Sequence, residues 1–148
     1  MKNPLGILAN VRVQLFDNDG KLKAERRGHN LVVNAGLAHI ADQLSASPSQ
    51  NAMSHMGVGT GVAAAAAGDT ALGTQLDRNA LDSATDSGAV VTYVATWAAG
   101  DGTGAITEYG IFNAATDGTM LARYVDDVIN KGASDTLVVT WTLTFSAA

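Results

Sequence analysis

Toward the end of the chain, Leu137, Val139, Trp141, Leu143 and Phe145 alternate with Thr136, Val138, Thr140, Thr142 and Thr144. A period of two places these sets on opposite faces of one strand. The first set predicts a core face. Threonine suits strands and ladders across them, so the second set is expected to face water or a neighbouring chain. The same period separates Val11, Val13 and Leu15 from Arg12 and Gln14. Asp17-Asn18-Asp19-Gly20 then supplies residues that tolerate left-handed backbone, and Lys21 to Glu25 alternates again, which predicts a β-hairpin. Val90 to Trp97 is a β-branched and aromatic run broken by Asp101-Gly102-Thr103-Gly104. Ile106 to Asn113 predicts a further strand, Asp117-Gly118 a turn, and Met120 to Val125 its partner.

One segment has another period. After the short apolar strand Leu31-Val32-Val33, Asn34 can accept an orphan N–H of a first helical turn, and Leu37, Ile40, Ala41 and Leu44 recur at helical spacing. This predicts a helix over about residues 34–45, ended by the Ser45–Asn51 segment with Pro48. Met53 to Gly61 reads as a short strand running into a glycine-rich bend. The alanine run from Val62 to Gly68 is bracketed too tightly for a stable helix and is expected to be loop or extended chain. Leu72 and Leu76, four apart, allow one helical turn within Asp69–Arg78. No repeat stands out and no linker divides the chain. The expected fold is mainly β: a single domain over residues 1–148, an antiparallel β-sandwich or barrel with one short α-helix.

Composition narrows this picture. The 148 residues suit one domain, and a chain this long buries roughly 70% of its unfolded surface without needing a metal or disulfide. No cysteine is present, which excludes disulfide scaffolds, thiolate zinc sites, iron–sulfur clusters and thiol catalysis. Charged residues make up 16% of the chain, against about 25% in an average protein. Sparse charge suits a β protein that hides surface in an assembly. No apolar run approaches the roughly 18 to 20 residues that span a bilayer. The apolar stretch within Met1–Asn10 is too short for a secretory signal, so no membrane association is expected.

The net charge of −5 argues against free nucleic-acid binding, which needs a basic face. That charge is unevenly spread. Residues 1–31 hold Lys2, Arg12, Lys21, Lys23, Arg26 and Arg27 against Asp17, Asp19 and Glu25, while the remainder holds Arg78, Arg123 and Lys131 against eleven carboxylates. The N-terminal region, residues 1–28, is therefore the expected docking region, with Arg12, Lys21, Lys23, Arg26 and Arg27 as its contacts toward an acidic neighbour. An ordinary solvated hairpin has the same composition.

Catalytic signals are weak. His29, His39 and His55 have no metal-ligand spacing; His39 is expected to be exposed and His55 packed. Gly57-Val58-Gly59-Thr60-Gly61 lacks the Gly-Lys-Ser/Thr end of a phosphate loop and reads as a sharp bend. Asp17-Asn18-Asp19-Gly20 lacks the flanking acids of a calcium loop: Leu15 and Arg26 stand where carboxylates would be needed. No nucleophile elbow occurs, and the carboxylates Glu108, Asp126 and Asp127 form no recognisable acid–base pair. The expectation is a protein with no catalytic residues, no metal and no cofactor. Tyr93, Trp97, Tyr109 and Tyr124 offer aromatic platforms for a carbohydrate-binding alternative, although aromatics within strands usually belong to the core.

Several stretches together resemble small structural proteins of tailed-bacteriophage virions. They are His29-Asn30-Leu31-Val32-Val33-Asn34-Ala35-Gly36-Leu37, Met56 to Gly61 with Asp69 to Arg78, Ile106 to Asn113, Gly118 to Arg123 with Lys131, and Asp135 to Phe145. The resemblance covers roughly residues 29–145 and implies a non-enzymatic virion structural protein made in the bacterial host cytoplasm. Related blocks occur in tail-fibre and collar-type domains and in small head-surface proteins. Only Ser146-Ala147-Ala148 follow the last predicted strand, where a fibre would continue into a shaft. The expectation is therefore a capsid decoration, or cement, protein on the outer head surface, a homotrimer whose partner is the major capsid protein. The alternative is a tail or baseplate component, such as a fibre-attachment module, with tail proteins as partners.

Overall fold

A computed structural model describes residues 5–147. Ten strands and one helix follow in the order β1 (Leu5–Phe16), β2 (Leu22–His29), β3 (Leu31–Val32), α1 (Asn34–Leu44), β4 (His55–Gly59), β5 (Gln75–Ala80), β6 (Ser83–Ser87), β7 (Val90–Trp97), β8 (Gly104–Phe112), β9 (Met120–Lys131) and β10 (Thr136–Ala147). They form two antiparallel five-stranded sheets, ordered β2-β1-β10-β7-β6 and β3-β9-β8-β4-β5. The fold is thus a sandwich. The chain crosses between sheets four times, from β2 into β3, β5 into β6, β7 into β8 and β9 into β10.

Alternation along β1, β7 and β10 decides what the first sheet buries. Val11 pairs with Trp141, Val13 with Val139 and Leu15 with Leu137. Trp97 pairs with Leu137 and Ala95 with Val139. All of these side chains are buried and meet Met56, Val58, Ile106, Tyr109, Ile111, Leu121 and Ile129 of the second sheet. The Trp141 indole is not left unbonded: with the Asn30 amide oriented to serve both neighbours, Trp141 Nε1 donates to its oxygen at 3.0 Å and its nitrogen donates to Ala9 O at 3.0 Å. At the β1–β2 turn, Asp17 Oδ1 accepts the backbone N–H groups of Asp19 (2.8 Å) and Lys21 (2.9 Å), as expected of a turn aspartate.

Helix α1 lies on β9 through a different face from the expected one. Gly36 and His39 are buried, with Ile40 packed on the core, whereas Leu37 and Leu44 are exposed. The cause is Gly36. A Cβ there would lie 2.0 Å from Leu121 O, so the absence of a side chain lets the helix backbone press onto the strand and rotates the apolar stripe outward. His39, expected at the surface, is 4% exposed, and its Nδ1 meets Gln50 Oε1 at 3.1 Å. Asn34 is not the N-cap: Val33 holds that position with no side-chain cap bond, and the Asn34 N–H donates instead to Ala67 O at 2.8 Å. No helical turn forms over 69–78. Leu72 is buried against the outer face of the second sheet, while Leu76 lies in strand β5, which with β6 has too polar a sequence to show strand periodicity. Strand β9 runs to Lys131, beyond the expected end at Val125, and carries an irregular register near Ile106 and Glu108 of β8.

Candidate functional site

The two sheets differ in what lies outside them. The outer face of the second sheet is covered by residues 60–74, a strap between β4 and β5. Leu72 packs there with Val33, Phe112, Met120 and Ala35 in a small second core. Beside it sits a buried polar knot. Glu108 is fully buried. Its carboxylate accepts the backbone N–H groups of Thr74 (2.7 Å), Gly73 (2.8 Å) and Gly61 (2.9 Å). Arg123 donates to the same carboxylate from Nη2 at 2.9 Å and from Nε at 3.2 Å. Its Nη1 reaches Asp69 Oδ2 at 3.0 Å and Ala64 O at 3.4 Å. Burial alone pushes the Glu108 carboxyl up, but the three backbone donors and Arg123 outweigh it and hold it below the usual carboxylate range. Gly59 completes the arrangement, because a Cβ there would meet Thr74 O at 2.4 Å and Glu108 Oε1 at 2.5 Å.

This knot brings together three of the five stretches that carry the virion resemblance: the glycine-rich bend with Asp69 to Thr74, Glu108 within β8 and Arg123 within β9. They hold a loop on a sheet. Glu108 meets neither Asp126 nor Asp127 as an acid–base pair; it is spent on Arg123 and three amides. Sequence reasoning did not foresee the knot, although its signal was present: a lone carboxylate and a lone guanidinium inside two apolar strands are costly unless they meet.

Among the described residues, no strap covers the outer face of the first sheet. By register it presents Asn10, Arg12 and Gln14 of β1, Glu25, Arg27 and His29 of β2, Val138, Thr140, Thr142 and Thr144 of β10, and Val90, Thr92, Val94 and Thr96 of β7. Its cationic groups are at the β2 side, and at the opposite edge Thr96 Oγ1 donates to Asp82 Oδ2 at 2.6 Å. Arg12 Nε donates to Glu25 Oε1 at 2.6 Å and Arg27 Nε to the same oxygen at 3.1 Å. The Arg12 hydrogen bond, followed by the charge of Arg27, holds the Glu25 carboxyl below its ordinary value against the opposing effect of burial. Two guanidinium groups thus share one carboxylate, leaving the cluster with positive charge to spare. Asn10, Arg12, Arg27, His29, Thr140 and Thr142 line a shallow recess of about 440 Å³ beside it.

The five docking candidates therefore separate. Arg12 and Arg27 share the bare face. Lys21 is exposed in the β1–β2 turn. Lys23 turns away to pair with Asp135 at 2.9 Å. Arg26 donates to Glu25 O (3.0 Å) and to Val128 O of β9 (2.8 Å), closing the corner between the sheets. The aromatic platform does not assemble: Trp97 and Tyr109 are fully buried and Tyr124 is 3% exposed, in contact with Asp126. Tyr93, half-buried, lines a narrow apolar cleft of about 210 Å³ with Ile40, Met53 and Phe145. Among the described residues, no three His, Asp or Glu side chains converge. Compared with protein-family models, curated proteins and solved structures, the chain matches none.

Proposed function

We propose that this chain is a non-enzymatic virion structural protein that binds assembled capsid as a decoration protein. The observation that carries the reading is the asymmetry of the sandwich. One outer face is built over by the strap, and the other is a broad expanse of Thr, Val, Asn and Gln with charge confined to the Arg12–Glu25–Arg27 cluster and to Asp82 at the β6 edge. A solvated sheet face normally intersperses both signs of charge across its surface. A face nearly free of charge avoids the cost of desolvating ions when a partner covers it. The Arg12–Arg27 cluster then supplies steering and register toward an acidic partner surface, here that of the major capsid protein. Binding to the assembled shell alone stabilises that shell by mass action, with no reaction catalysed.

Antibody-gold labelling of intact virions of the encoding phage tests the location. Dense label over the head is the expected result. Label confined to the tail would overturn the decoration reading in favour of an attachment module. The surface is tested separately with an Arg12→Gln/Arg27→Gln variant. It should keep its thermal stability and lose capsid affinity, with a shallower salt dependence than the parent. Unchanged affinity would remove the arginines from the contact.

A further inference from the structure

Val62 is 78% exposed, at the outer end of a loop whose other solvent-facing side chains from Ala63 to Ala67 are methyl groups. The loop is not left free. Gly61 donates to Glu108 and its carbonyl accepts from Thr107 Oγ1 at 2.7 Å. Ala64 O accepts from Arg123, Ala66 N donates to Asp69 at 2.9 Å, and Ala67 O accepts from Asn34. A buried ion pair thus immobilises a loop that offers solvent nothing but hydrocarbon. Fixing such a loop beforehand lowers the entropic cost of placing it in an interface.

Its surroundings indicate what the interface takes. On one side of Val62 a recess of about 470 Å³ includes Leu31, Val125 and His29. His29 also borders the recess of Arg12 and Arg27. On the other side a recess of about 530 Å³ includes Val125, Val128, Asp126 and Asp127. One continuous band therefore runs across the β2–β9 corner: cationic at Arg27, apolar around Val62, acidic at Asp126 and Asp127. Asp127 is exposed and has no ion-pair partner among the described residues. A band with opposite charges flanking an apolar centre is complementary to a second copy of itself. Arg27 projects from the outer face of the first sheet, and Val125, opposite Glu108, from that of the second. The cationic flank thus stands on β2 of the first sheet and the acidic flank, Asp126 and Asp127, on β9 of the second, so that opposite flanks of successive copies can meet head-to-tail.

We propose that this band is the contact through which the chain associates head-to-tail with further copies of itself, the cationic flank of one copy meeting the acidic flank of the next. Arg27 lies on the border between this band and the proposed capsid-facing surface. The self-contact stands independently of capsid binding.

Sedimentation velocity of the purified full chain at low and high salt tests this. The expected result is a concentration-dependent oligomer that dissociates as salt rises. Val62→Asp, at an exposed position, should weaken association at least about tenfold without lowering the Tm. Asp127→Lys should weaken it too, and Arg27→Glu combined with Asp127→Lys, which exchanges the flank charges, should restore it. A chain that stays monomeric at every concentration, or an oligomer indifferent to both Val62→Asp and Asp127→Lys, would overturn the proposal. A monomer that still decorates heads would sink this contact and leave the decoration reading standing. An oligomer absent from the head would do the reverse.

Discussion

Glu108 and Arg123 have little value as isolated charges in apolar strands and much value as a pair. Glu108→Ala leaves the Arg123 guanidinium buried with only Nη1 bonded, to Asp69 and Ala64 O, and breaking a buried pair in this way costs about 3–5 kcal/mol. Glu108→Gln keeps an acceptor for the strap amides but loses the charge, and its cost should be nearer 1–3 kcal/mol. Urea denaturation of the two variants checks the order. The pH dependence follows from the same carboxylate. Its folded pKa lies below the ordinary 4.5, so its stabilisation is complete above that value and is lost as pH falls through the folded one. Asp42 behaves alike from another cause. The backbone N–H groups of Ser49 and Gln50 bond its carboxylate and bring its pKa from 3.8 to about 2. Asp42→Asn should therefore lower the Tm at about pH 7, by an amount that shrinks as pH falls toward 2, where the parent carboxyl is about half protonated. A Tm difference that persisted undiminished at the lower pH would show that the side chain acts through shape rather than charge.

At the scale of elements, what was legible followed the burial pattern. Strand β10 alternates because one face is core and the other is not, and β1 was readable for the same reason, whereas β7 was readable as a β-branched and aromatic run. Strands β5 and β6 were invisible: Gln75–Ala80 and Ser83–Ser87 bury almost nothing, so backbone pairing with β4 and β7 defines them rather than side-chain pattern. The helix was placed correctly along the chain but rotated wrongly, because an apolar stripe was assumed to mark the contact when Gly36 marks it. Two glycines make this testable. Gly36→Ala places a methyl against Leu121 O and should destabilise by about 1–3 kcal/mol, the usual cost of overpacking. Gly68→Ala meets no atom within 4 Å at a backbone that alanine can adopt, and should stabilise by about 0.4–1 kcal/mol through the unfolded chain. Thermal unfolding of both variants compares them directly. Equal effects would mean that α1 can lift from β9 without loss. The knot was half legible: its residues stood in the quoted stretches, but contacts as distant in sequence as Gly61 with Glu108 and Asp69 with Arg123 are created only by the sheet.

At the scale of the whole molecule, the sandwich has one face that stabilises it and one that does not, and this separates folding from binding. Thr140 and Thr142 are only half-buried on the bare face, with nothing packed over them. A lysine at either position can extend into water, and substitutions of this kind usually change stability by less than about 0.5 kcal/mol. On the strapped face, Leu72 of the strap and Phe112 of β8 are buried against one another. A carboxylate at Leu72 gives up its apolar packing, and Arg78, stacked on the Phe112 ring at 3.5 Å, is already engaged by Gln75, Ala114 O and Asp117 O, so the charge should unfold the strap or the domain. Leu72→Asp is therefore expected to lower the Tm strongly. Thr142→Lys should leave the Tm within error and abolish co-sedimentation with assembled capsids, since its long side chain projects into the recess beside Arg12 and Arg27 that the partner must fill. The two measurements must be made on the same preparations. If Thr142→Lys binds capsid as the parent does, the bare face is an ordinary solvated surface and the decoration reading loses the observation that carries it. If Thr142→Lys itself fails to fold, the face contributes to stability and the asymmetry argument fails at its first step.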